Sequence, residues 1–86
     1  MPFSVPRWVA GVVGENPQSV ALESEVRKGG LVRLRYRVGA DARAAEVTVR
    51  TMRDDTGRVV GWEAICWVGR QPERIEVPAG TRFEWR

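Results

Sequence analysis

From Leu31 to Val38 the chain alternates without a break. Val32, Leu34, Tyr36 and Val38 fall on one side of an extended backbone, and Arg33, Arg35 and Arg37 fall on the other. Successive side chains of a strand point to opposite faces, so the segment requires a sheet with one buried side and one wetted side. A helix would scatter both sets around its circumference. The whole chain of 86 residues is one small domain. At that length a fold buries only ~60–65% of its unfolded surface, so the apolar face of this strand is a large part of a thin core.

The flanking segments extend the same pattern. Gly39 to Ala45 reads as a loop, and Glu46–Arg50 as a second strand with Val47 and Val49 inward. Asp54-Asp55-Thr56-Gly57 is a turn signal that joins its neighbours into a hairpin. The next strand, Val59 to Val68, carries Val60, Trp62, Ala64, Cys66 and Val68 on one face and Val59, Ile65 and Trp67 on the other, which predicts cover on both sides. Gly69-Arg70-Gln71-Pro72 predicts a turn, Arg74–Val77 a short strand, Pro78-Ala79-Gly80 a tight turn, and Thr81–Trp85 a last strand.

Upstream, the β-branched and aromatic content of Phe3–Val13 favours extended structure. Pro6 cannot donate to a ladder, which makes residues 1–13 an N-terminal arm or edge strand. Asn16 as N-cap and Pro17 at the first helical position predict a helix over 17–28. Leu22 and Val26 share one of its faces, Arg27 and Lys28 occupy its last turn, and Gly29-Gly30 ends it. The expected fold is therefore mainly β with one short α-helix. It is a small SH3-like or Sm-like antiparallel barrel, with the sheet over 31–85 and the helix across its open end.

Composition removes several kinds of chemistry. With no histidine, the chain supplies no Ser-His or Cys-His pair and no imidazole metal ligand. A single cysteine, Cys66, excludes an internal disulfide and a cysteine-rich zinc site. Gly29-Gly30 follows the expected helix instead of opening one, the wrong order for a phosphate loop. Asp54 and Asp55 are turn formers, and Cys66 lies mid-strand in an apolar setting where thiols are inert. The reading is a non-enzymatic module with no catalytic residues, no metal and no cofactor. No apolar run approaches a membrane span and no secretory leader is evident, so the expected compartment is cytoplasmic.

Charge is concentrated. Residues 27 to 53 hold eight basic side chains against Asp41 and Glu46, a local charge of +6 within a chain of net +3. Lys28 is the single lysine among the 14 cations. Arginine offers a planar fork that grips phosphate or carboxylate at two points and stacks on bases.

Ala21-Leu22, then Val26-Arg27-Lys28-Gly29-Gly30-Leu31-Val32-Arg33-Leu34-Arg35-Tyr36-Arg37, resembles the opening of a WYL domain. In that bacterial family a short helix enters a strand with an aliphatic-Arg-aliphatic-x-Tyr pattern. Glu63-Ala64-Ile65-Cys66-Trp67 and Arg74-Ile75-Glu76-Val77 are similar to the family's central strand and the short strand after it. The naming Trp-Tyr-Leu tripeptide falls on Val60-Gly61-Trp62. The resemblance spans roughly residues 20 to 77. It implies an Sm-like fold and a domain that binds single-stranded nucleic acid or a nucleotide-type ligand, in transcriptional regulation or a nucleic-acid-handling complex.

The candidate binding residues are Arg33, Arg35, Arg37, Arg50, Trp67 and Arg74. Arginines at every second strand position stand ~6.5–7 Å apart, close to the spacing of successive phosphates along a strand. The same stripe has a plainer reading as the polar side of a half-buried sheet, neutralised across strands by Glu46, Glu63 and Glu76. Trp62 has the phase of the core, whereas Trp67 has the opposite phase and suits a base or a protein surface. Tyr36 is structural. The alternative function is a protein-interaction or self-assembly module, possible as a homo-oligomer, in which Pro6 and Trp8 of the arm lie on a partner.

Overall fold

The alternating segment is the second strand of a five-stranded antiparallel sheet. The computed structural model describes residues 2–68 and 71–86. In chain order the elements are β1 (Phe3–Ser4), α1 (Val5–Val13), a 3-10 turn (Pro17–Ser19), β2 (Val20–Lys28), β3 (Leu31–Val38), β4 (Arg43–Arg53), β5 (Val59–Val68), β6 (Gln71–Pro78) and β7 (Phe83–Glu84). The large sheet has the order β2-β3-β4-β5-β6, and β1 pairs with β7 in a short parallel ribbon. The class is mainly β with one helix, as expected, and the sheet stays open between β2 and β6. Ala79 N–H bonds to the Val60 carbonyl. By alternation, the even-numbered residues of β6 turn their backbone groups to the outer edge, where Pro72 and Pro78 supply no donor.

The expected N-terminal arm or edge strand over 1–13 is corrected from Val5 onward. Val5–Val13 is a helix, not an edge strand. The Ser4 hydroxyl caps it by accepting from Arg7 N–H, and Pro6 sits in the first turn, where no donor is needed. Gly14, at φ 75°, closes it with a bond to the Ala10 carbonyl. Val5, Val9 and Ala10 are buried against the sheet. Four-residue spacing over a ready apolar surface outweighs the β preference of valine here.

The expected helix over 17–28 is also corrected. Asn16 does cap a turn, accepting from Gln18 N–H, but the turn stops after Ser19 and the chain runs on as β2. Gly29-Gly30 is not a helix end. It is a two-residue hairpin loop between Lys28 and Leu31, with Gly29 at φ 60°. A bulge between Leu22 and Ser24 shifts the alternation. Before it Val20 and Leu22 face the core; after it Ser24 and Val26 face outward.

Downstream, β4 is longer than expected at each end, β6 begins at Gln71 inside the expected turn, and the last strand shrinks to Phe83–Glu84 and leaves the large sheet to pair with β1. The cover expected on both faces of β5 is found on the inner one, and Trp67 is exposed. Asp54 Oδ1 accepts from the Thr56 amide, the Thr56 hydroxyl and the Arg58 amide, which closes the β4–β5 hairpin. These bonds hold the Asp54 carboxyl below its ordinary range. Of the Gly69–Pro72 turn, Gly69 and Arg70 lie outside the described residues.

The inner face holds the core: Leu34, Tyr36, Val38, Ala45, Val47, Val49, Ala64 and Cys66, covered by Val5 and Val9 of α1. An aromatic group finishes it. Phe83 packs edge-on to Phe3 and Trp62 and stacks on Trp85 at 4.9 Å. The Tyr36 hydroxyl donates to the Trp85 carbonyl at 2.5 Å, and Arg27 lies 5.0 Å over the Trp85 ring. Burial pushes the Cys66 thiol up to about 11, so it is protonated at neutral pH.

Candidate functional site

All helical cover lies on the inner side, so the outer face of the sheet is bare. Register arranges it in rows across the strands. Ser24, Arg35, Glu46, Trp67 and Pro72 form one row; Val26, Arg33, Thr48, Ile65 and Arg74 form the next. Leu31, Arg50, Glu63 and Glu76 make a third. Arg37 stands beyond the first row, beside Ala21 and Ala44.

Arg33, Arg35 and Arg37 are exposed. Among the described residues no carboxylate forms an ion pair with any of them. Alternation on β3 gives them one direction, and the packed inner residues between them fix the strand that carries them. Each long stem reaches from a rigid base, and Arg33 and Arg35 line a shallow depression with Leu34, Glu46 and Val47, while Arg37 stands outside it.

Arg50 and Arg74 face the same side but are engaged. Arg50 Nε donates to Glu63 Oε1 at 2.7 Å, and Arg74 Nε donates to Glu63 Oε2. Arg74 also lies 3.6 Å from Glu76. Glu63 is only 4% exposed although it points outward, because the two guanidinium groups close over it. The hydrogen bond from Arg50, followed by that from Arg74, holds the Glu63 carboxyl below the usual carboxylate range. The same bond raises Arg50. Two cations and two carboxylates thus form a neutral patch beside the free stripe.

We compared the chain with protein-family models, curated proteins and solved structures. None of them matches.

Trp67 is 46% exposed on the outer face, in agreement with its phase. Trp62 packs on the core side. Glu46, between Arg35 and Trp67 in one row, did not stand out from sequence as more than a counter-charge. A simple count misplaces it: stepping back from the Asp54–Gly57 turn sets Glu46 opposite Cys66, and the irregularity between Met52 and Arg53 moves it by one residue to face Trp67. Pro6 is buried and Trp8 packs on the core, so the N-terminal segment serves its own fold and presents no free arm. Among the described residues no group of acidic or sulfur ligands is placed to hold a metal, and no helix is long and apolar enough to cross a membrane. The chemistry on offer is anion binding beside an exposed aromatic ring.

Proposed function

We propose that the outer face binds single-stranded nucleic acid, with Arg33, Arg35 and Arg37 on successive phosphates and Trp67 against a base. The domain then acts as a WYL-like, non-enzymatic module in transcriptional regulation or a nucleic-acid-handling complex. The observation that carries this reading is the set of three exposed, unpaired guanidinium groups on one rigid strand. Their ~6.8 Å repeat suits an extended backbone. Base stacking on an aromatic side chain contributes ~1–3 kcal/mol whatever the base. An open face, in place of an enclosed pocket, favours a strand over a free nucleotide. Fluorescence polarisation with labelled single-stranded DNA and RNA tests it. Binding at low salt that is lost in the Arg33→Glu, Arg35→Glu double variant supports the proposal, and binding indifferent to that variant overturns it.

A further inference from the structure

The two edges of the large sheet differ. β6 carries Pro72 and Pro78, which offer no donor to a further strand. β2 has no proline, pairs only with β3, and is exposed from Glu23 to Lys28, with Val26 58% exposed at its centre. The two-residue Gly29-Gly30 loop makes Lys28 and Leu31 a hydrogen-bonded pair, and alternation makes Val26 and Arg33 another. The Gly30 carbonyl accepts from Thr51 on β4, which agrees with that phase. The backbone amides and carbonyls of Glu25 and Arg27 therefore point away from β3. Among the described residues no strand receives them. An uncovered edge of this kind is a template for another strand.

Beyond the bulge the chain reads Ser24-Glu25-Val26-Arg27-Lys28, which complements itself when reversed about Val26. A second copy laid antiparallel along β2 sets Val26 against its counterpart, Glu25 against Arg27 and Ser24 against Lys28. Hydrogen-bond phase permits this register. Glu25 and Arg27 of the two copies exchange backbone bonds, and the valines form the closer, non-bonded pair with Cα atoms ~4.5 Å apart. The neighbouring registers of the same phase oppose Glu25 to Glu25 or Arg27 to Arg27, and like charges directly opposite are destabilising. Within each chain Glu25 accepts from Arg27 Nε, and the guanidinium lies over Trp85, which packs on the inner side and leaves the edge open. Two such pairs, head to tail, set four charges of alternating sign along the seam. We infer that the protein forms a two-fold dimer through β2, joining two sheets into one. The outer faces then run on, and the β3 arginines of both copies share one surface. The dimer stands independently of what that surface binds.

Sedimentation of the full chain over a concentration series should show monomer and dimer in exchange. Val26→Lys, on the wetted side of the edge, should raise the dimer dissociation constant about fivefold, the upper effect of one opposed pair. Glu25→Arg should raise it at least about tenfold, because symmetry repeats the clash at two pairs. Adding Arg27→Glu to Glu25→Arg exchanges the charges, and the double variant should return close to the parent value. Circular dichroism reports the fold of each variant separately. Val26→Cys needs no loss of association: cysteines opposed in that pair lie within disulfide reach, so oxidation should give a covalent dimer. Arg58→Cys, exposed at the β4–β5 hairpin, should stay monomeric under the same oxidation. A monomer throughout the series overturns the proposal. A dimer indifferent to Val26→Lys and to the charge exchange overturns the assignment to β2, as does a Val26→Cys chain that oxidises no faster than Arg58→Cys.

Discussion

Salt titration counts the guanidinium groups that meet a strand. Log affinity falls with log salt at a slope of about −0.7 for each phosphate neutralised on a single strand. The three unpaired arginines of β3 give a slope of about −2.1, or an ~18-fold loss of affinity between about 50 and 200 mM salt. Arg50 and Arg74 are already neutralised by Glu63 and Glu76. If they contributed as well, the slope would steepen to about −3.5 and the loss to ~130-fold. Arg35→Ala should flatten it to about −1.4, an ~7-fold loss over the same range. Arg50→Ala should leave it at the parent value. The assay is polarisation of a labelled oligonucleotide across a potassium chloride series. A slope near the five-cation value, or one that Arg35→Ala leaves unchanged, refutes the division of this face into free and engaged arginines.

Other consequences concern stability. Glu63→Gln should destabilise the fold at neutral pH. Because the folded carboxyl lies below its ordinary value of 4.5, its contribution is whole above that pH and fades as pH falls through the lower folded value. Urea midpoints of the variant and parent should therefore converge in acid, and a gap that persists would contradict the Glu63 clamp. Tyr36→Phe, which removes the bond to the Trp85 carbonyl, should cost about 1 kcal/mol in urea unfolding. Gly61→Ala places a methyl group 2.6 Å from the Val77 carbonyl oxygen, and the β5–β6 backbone has to yield at a cost of ~1–3 kcal/mol by the same measurement. Cys66 should resist a thiol reagent at neutral pH in the folded chain and react fully once unfolded.

Where one period holds across a whole segment, the fold is legible from the residues. Leu31–Val38 is such a segment, and the Asp54–Gly57 turn anchors the hairpin after it. The β2 segment misled for a local reason. Its bulge between Leu22 and Ser24 breaks the alternation, so Leu22 and Val26 look like one helical face although they lie on opposite sides of the sheet. The α1 segment misled for a tertiary reason: its valines favour extended chain in isolation, and the helix depends on the sheet that buries Val5 and Val9. At the site, the orientation of Arg33, Arg35, Arg37 and Trp67 followed from phase alone. The capture of Arg50 and Arg74 by Glu63 did not, since it is set by which strands lie side by side.

One layer of backbone separates packed valines from wetted arginines in β3, and the two sets share a single stretch of chain. Inserting or deleting one amino acid there would exchange them, driving cations into the interior and setting Leu34 and Tyr36 in water. A change of two would restore the facing of the strand beyond it. Variants of this protein that differ in the length of that strand should therefore tolerate even steps and collapse at odd ones.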